Sequence, residues 1–104
     1  MIQHLKTAQF HDEVESAKGL VLVDFYADWC MPCKMLAPVM EQLAQENDTV
    51  KFFKVNVDEE PQLAAKFGVM SIPTVIFVKD GRLADKTVGA LSKSSFQSKI
   101  DSMK

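Results

Sequence analysis

One stretch of the chain runs apolar without alternation, and residues at helical spacing fill much of the sequence around it. Leu20-Val21-Leu22-Val23-Asp24-Phe25-Tyr26 is that stretch, and such a run marks a strand covered on both faces. Asp24 is its one exception. Val50 to Val57 reads as another buried strand, and Thr74 to Lys79 as a third. Asp80-Gly81 is a two-residue hairpin signal that joins this third strand to a fourth, Leu83 to Val88, so that pair is antiparallel. Before the first strand, Thr7 caps a predicted helix to about Lys18, with Phe10, Val14 and Ala17 at helical spacing and Gly19 ending it. A second helix opens after Tyr26 and runs to about Asn47. It turns Leu36, Val39, Met40, Leu43 and Ala44 inward, tolerates Pro32 in its first turn and is kinked at Pro38. Asp58-Glu59-Glu60-Pro61 starts a short helix whose acidic residues suit its dipole, and Gly68 closes it. Ser92 caps a last one, with Phe96, Ile100 and Met103 at i, i+4 and i+7. The order αβαβαββα predicts an α/β fold of three layers, a mixed central sheet flanked by helices.

Composition adds little that conflicts. With 104 residues, 47% of them hydrophobic and 25% charged, the chain reads as one domain over residues 1–104, able to fold without a disulfide staple. A net charge of −2 and no Lys/Arg cluster speak against nucleic acid or an anionic membrane as partner. No stretch approaches the ~18 apolar residues of a membrane span, and the N-terminus has no basic segment followed by an apolar one. The expectation is a cytoplasmic protein whose thiols are kept reduced.

The chemistry concentrates at Trp29-Cys30-Met31-Pro32-Cys33-Lys34, where the first strand hands over to the second helix. Cys30 and Cys33 are the only cysteines, and their spacing is that of a redox pair. On a first helical turn both sulfurs share a face, with Cys30 expected at the exposed tip as attacking thiol and Cys33 one turn inward as resolving thiol. A helix N-terminus favours the thiolate of Cys30 and, with it, the reduced form. Closing so short a loop removes little unfolded-state entropy, which argues against a structural staple. A zinc site would need two more ligands, and the only imidazoles, His4 and His11, lie in the first helical region without finger-like spacing. No metal is expected.

Asp24 admits two readings. Buried, it would have a raised proton affinity and could take the proton of Cys33; otherwise it reaches solvent at a strand end or pairs with a lysine such as Lys54. Pro73, in Met70-Ser71-Ile72-Pro73-Thr74, reads as a turn or strand-start proline, and most such bonds are trans. Trp29 is either core or a partly exposed docking surface beside Cys30. Taken singly, Met31, Met70, Ile72 and Val88 read as core, and the remaining methionines are left to the core.

The motif, taken with Val23-Asp24-Phe25-Tyr26-Ala27, Ile72-Pro73-Thr74 and Val88-Gly89-Ala90-Leu91-Ser92-Lys93, resembles the thioredoxin family over essentially the whole chain. The resemblance implies Cys30 as attacking and Cys33 as resolving thiol, Asp24 as a buried carboxyl with Lys54 beside it, and Pro73 as a cis-proline packed on the disulfide. It also implies that the Ile72 backbone pairs with a substrate strand. The docking surface it implies is Trp29, Met31, Pro32, Ile72, Pro73, Val88, Gly89 and Ala90. Gly81 matches a family turn glycine, and Pro38 the family kink. The implied work is reduction of disulfides in protein substrates, with the dithiol restored by a thioredoxin reductase drawing on NADPH and no bound cofactor; a monomer is the simplest expectation. Three departures stand out: Met31 where the family usually has glycine, Tyr26 where a second tryptophan is frequent, and Met70-Ser71 in place of a common basic-plus-glycine pair. Retention of Pro32, where related oxidases and isomerases usually carry histidine, favours a reductant. The competing readings are a thiol oxidase or isomerase, and a binding module that uses the same apolar face with its thiols idle.

Overall fold

A computed structural model describes residues 2–104. The apolar stretch around Val23 becomes β2 (Leu20–Tyr26), the middle strand of a five-stranded sheet ordered β1-β3-β2-β4-β5. Its neighbours are β3 (Lys51–Asn56), parallel to it, and β4 (Thr74–Lys79), antiparallel. The edges are β1 (Gln3–His4), parallel to β3, and β5 (Arg82–Val88), antiparallel to β4. Three α-helices lie among the described residues: α1 (Met31–Glu46), α2 (Pro61–Lys66) and α3 (Lys93–Met103).

The lack of alternation in β2 is explained by the two cores it separates. Leu20 and Leu22 point to the side of α1 and α3, against Leu36, Met40, Phe96 and Ile100. Val21, Val23 and Phe25 point to the other side, against Phe10, Val14 and Leu63. Each fully buried side chain of this size contributes on the order of 1.5–3 kcal/mol. Together they hold β2 as the rigid element from which the site is built.

The first expected helix is corrected. In place of one α-helix to Lys18 there is a 3-10 turn, Thr7–Gln9, followed by a π-helical turn, His11–Glu15, closed by the Ser16 N–H donating to the His11 carbonyl at 2.9 Å. Thr7 is not its cap. Its N–H and Oγ1 both donate to Glu60 Oε1, at 2.8 and 2.9 Å, tying this segment to the start of α2. Phe10 and Val14 still point inward as their spacing predicts. The strand β1 was not expected: two residues with exposed side chains carry no period to read. The other boundaries fall within a few residues of expectation, and Pro38 lies inside α1, where it removes one helix hydrogen bond.

At the β4–β5 hairpin both turn residues adopt positive φ, Asp80 at 49° and Gly81 at 82°, as the two-residue turn demands. The turn is clamped to the loop before β2: Gly19 N–H donates to Asp80 Oδ1 at 2.7 Å, and Asp80 N–H donates to the Gly19 carbonyl at 2.9 Å. A Cβ on Gly81 would drive into the backbone carbonyl of Glu15. Gly81→Ala is therefore expected to lower stability by about 2 kcal/mol or more, read as a shifted urea midpoint at unchanged slope.

Candidate functional site

Beyond Tyr26 the chain turns through Ala27-Asp28-Trp29, closed by Cys30 N–H donating to the Ala27 carbonyl at 3.2 Å, and enters α1. Cys30 is the N-cap of that helix, in extended conformation, and Met31 and Pro32 are its first helical residues. The Cys30 Sγ accepts the N–H of Cys33 at 3.2 Å, so a backbone donor stands ready for negative charge on that sulfur once it is reduced. Cys30 and Cys33 are joined as a disulfide, with Cα atoms 5.2 Å apart.

The expected contrast in exposure between the two sulfurs is corrected. Cys30 is 5% and Cys33 4% accessible, because Ile72, Val57 and Tyr26 pack over the pair. Their surroundings separate them instead. Cys30 Sγ faces the loop before β4, 3.8 Å from the Ile72 carbonyl oxygen, whereas Cys33 lines a cavity of about 320 Å³ behind the helix start. The imidazoles are engaged elsewhere, His4 Nδ1 with the Tyr26 hydroxyl at 3.0 Å and His11 Nδ1 with Glu15 at 3.2 Å.

Asp24 opens into the same cavity as Cys33. Its side chain faces the α1 side of β2, two residues before Tyr26 on the same face, and is only 6% accessible. That excludes a strand-end charge reaching solvent. Oδ1 has no hydrogen-bond partner among the described residues, and burial pushes the carboxyl up to about 7 against the opposing pull of Lys54. Lys54 is the Cα partner of Asp24 across the β2–β3 ladder and lines the cavity, yet no ion pair joins them among the described residues. A buried carboxyl that titrates near neutrality beside a thiol can exchange protons with it in either direction.

Around Cys30 the surface is apolar. Trp29 is 68% exposed, its indole N–H donating to Asp58 Oδ2 at 2.8 Å, which fixes the ring at the rim. Met31 and Val88 are exposed, Pro32 is exposed on the first helical turn, and Ile72 is half-buried. Pro73 is buried and its bond to Ile72 is cis, as the resemblance implies and the simple preference of such bonds does not. Its carbonyl accepts the Gly89 N–H at 2.8 Å, which binds the loop before β4 to the Val88-Gly89-Ala90 end of β5. This brings the Ile72 carbonyl, Pro73, Gly89 and the disulfide to one end of the sheet.

The methionines correct a further expectation. Met40 is core, but Met31, Met35 and Met70 are exposed, Met70 at 95%, so neither the single-residue reading of Met31 and Met70 nor the assignment of Met35 to the core holds. Met35 carried a signal, since it follows Met31 by four residues and so shares its helix face. Asp58, which holds Trp29, carried none.

The chain matches the Thioredoxin family over residues 1–102. It is 46% identical over 95 residues to Thioredoxin 1 of Synechococcus elongatus, covering 90% of this chain and 89% of that one. It is 48% identical over 88 residues to a thioredoxin of Bacillus subtilis, covering 84% and 85%. It is also 40% identical over 101 residues to a chloroplastic M-type thioredoxin of Pisum sativum, covering 96% of this chain and 59% of that one. With the paired cysteines at the head of α1, these matches establish that the chain belongs to the thioredoxin family and is a thiol–disulfide oxidoreductase, a protein-disulfide reductase in type, that works through its own redox-active cysteine pair.

Proposed function

We propose that the protein is a cytoplasmic electron carrier that acts as a monomer of one domain, residues 1–104, and reduces disulfides in other proteins by a two-thiol cycle. The Cys30 thiolate attacks one sulfur of the substrate disulfide, which forms a mixed disulfide and releases the first substrate thiolate. Cys33 then loses its proton to Asp24 and attacks Cys30 Sγ. That step forms the Cys30–Cys33 disulfide and releases the second substrate thiolate, so two electrons have passed to the substrate. A thioredoxin reductase returns them from NADPH.

The observation that carries this reading is the asymmetric placement of the two sulfurs, Cys30 at the helix cap beside the Ile72 carbonyl and Cys33 in one cavity with Asp24. Each surrounding suits one half of the cycle. Substrate docks on Trp29, Met31, Pro32, Val88, Gly89 and Ala90 and lies along Ile72 and Pro73, where the Ile72 backbone accepts strand-like hydrogen bonds. Lys54 moderates the proton affinity of Asp24.

The direction of electron flow is tested by the reduction potential of the Cys30/Cys33 couple in dithiothreitol buffers. A couple more reducing than about −260 mV is expected, below the cytosolic glutathione poise of about −220 to −260 mV. One at about −180 mV or above, the range of disulfide isomerases, would overturn the reductant reading and favour an oxidase or isomerase.

A further inference from the structure

Three residues form a continuous row across the parallel half of the sheet. His4 of β1 pairs with Lys54 of β3, and Lys54 pairs with Asp24 of β2. Cα partners in register share a sheet face, so all three side chains rise on the α1 side. Tyr26, two residues beyond Asp24, rises on that face as well. Its ring lies under the Lys54 ammonium, 5.8 Å from Nζ to the ring centroid, and its hydroxyl meets His4 Nδ1 at 3.0 Å. The His4 and Tyr26 rings are also in edge contact, with centroids 6.0 Å apart.

The Lys54 ammonium thus has two places to go. One is the buried Asp24 carboxylate, whose Oδ1 has no hydrogen-bond partner among the described residues; the other is the electron-rich face of Tyr26. In the structure it stands over the ring, and no ion pair with Asp24 forms among the described residues. The Tyr26 phenol is neutral at working pH and burial raises its proton affinity further, so its hydroxyl is present for the bond to His4.

We propose that Tyr26, steadied by His4, is a positioning residue that holds the Lys54 ammonium off Asp24 and thereby sets how readily Asp24 takes the proton of Cys33. The catalytic consequence rests on the two-thiol cycle proposed above, whereas the positioning itself does not. Cys33 and the charged groups Lys34 and Glu41 face Asp24 from α1, and Asp28 faces it from the turn after β2. Tyr26 lines the same cavity, so the route through Lys54 is separated from a direct change in the burial of Asp24 by a Lys54→Met background.

The test follows the Asp24 carboxyl by carbon-13 NMR titration of the oxidised full chain, in which neither cysteine titrates. Tyr26→Leu removes the ring, lets Lys54 approach the carboxylate, and is expected to lower the Asp24 midpoint by about one pH unit. Tyr26→Trp restores an aromatic face and is expected to return the midpoint to that of the unmodified protein. In a Lys54→Met background the Tyr26→Leu shift is expected to vanish. A midpoint that stays or rises in Tyr26→Leu, or falls equally without Lys54, overturns the proposal. Should Tyr26→Leu not fold, Tyr26→Phe and His4→Ala serve: each is expected to give the same smaller fall, with no further fall when combined, and additive falls overturn it. Asp24→Asn measured for its effect on mixed-disulfide resolution tests the cycle separately, so failure of one reading is distinguishable from failure of the other.

Discussion

A Cys33→Ser protein is expected to accumulate as a covalent complex with its substrate, while a Cys30→Ser protein forms none. Both lose turnover by at least about a thousandfold, to the level of the uncatalysed exchange. The reason is the division of labour between the sulfurs. Cys30 caps α1, accepts the Cys33 N–H and faces the Ile72 carbonyl, the side from which a substrate strand arrives. Without it, the remaining thiol lines the cavity behind the helix start, away from the Ile72 carbonyl where the substrate disulfide is proposed to dock. Without Cys33, attack proceeds but nothing inside the protein can displace the bound substrate. Non-reducing electrophoresis with a disulfide-containing substrate, followed by mass measurement of the adduct, reads the outcome. An adduct on Cys30→Ser and none on Cys33→Ser would reverse the roles, and turnover by either single variant would remove the two-thiol cycle altogether.

The redox pair was legible in the sequence because it rests on local features: two cysteines at the spacing of one helical turn, after an unbroken apolar strand. The sheet was legible for a similar reason. Val21 and Leu22 face opposite cores, and a strand with two dry faces cannot alternate. The Asp80-Gly81 turn was equally plain, since few residue pairs accept two positive φ values in succession.

What was not legible depends on contacts between distant segments. Thr7 looked like a helix cap, but Glu60, 53 residues away, takes both of its donors. Cys30 looked exposed because the loop that covers it arrives from the start of β4, and periodicity around residue 30 carries no trace of Ile72. Met31, Met35 and Met70 were read as core by residue type, yet each lies in a segment whose inward positions are filled by others. The row from His4 to Asp24 was out of reach for the same reason: a two-residue strand has no pattern, and its register with Lys54 is a property of the sheet. Sequence pattern thus specified the elements and the reacting groups, while the surroundings that differentiate those groups came from tertiary contacts.

Asp24→Asn is expected to make the protein more stable and less active at once, with the gain in stability confined to one pH window. Burial raises the folded-state proton affinity of Asp24 from the ordinary 3.8 to about 7. Below pH 4 the carboxyl is protonated in both folded and unfolded states, and its burial then carries no ionic cost. Between about 4 and 7 the unfolded chain releases the proton and the folded one keeps it, so stability falls as pH rises. Above 7 the cost levels off at about 4 kcal/mol for a displacement of this size. An asparagine never ionises, so the variant should gain up to about 4 kcal/mol at pH 8, less what its unsatisfied amide costs, on the order of 1–3 kcal/mol. The gain should vanish near pH 4. Denaturant midpoints measured for both proteins from pH 4 to pH 8 give the difference curve. A flat difference would mean that folded Asp24 is solvated as well as a free carboxylate, with the same proton affinity as in the unfolded chain, whereas a difference still climbing at pH 8 would place its midpoint above 7. In the proposed cycle, loss of the carboxyl also removes the proton acceptor for Cys33, so release of the mixed disulfide should slow by about 10²-fold or more near neutral pH while its formation by Cys30 is unchanged. An orphaned carboxylate in the centre of a sheet is costly to fold around, and the two halves of this prediction together test whether a proton acceptor for a buried thiol is what that cost maintains.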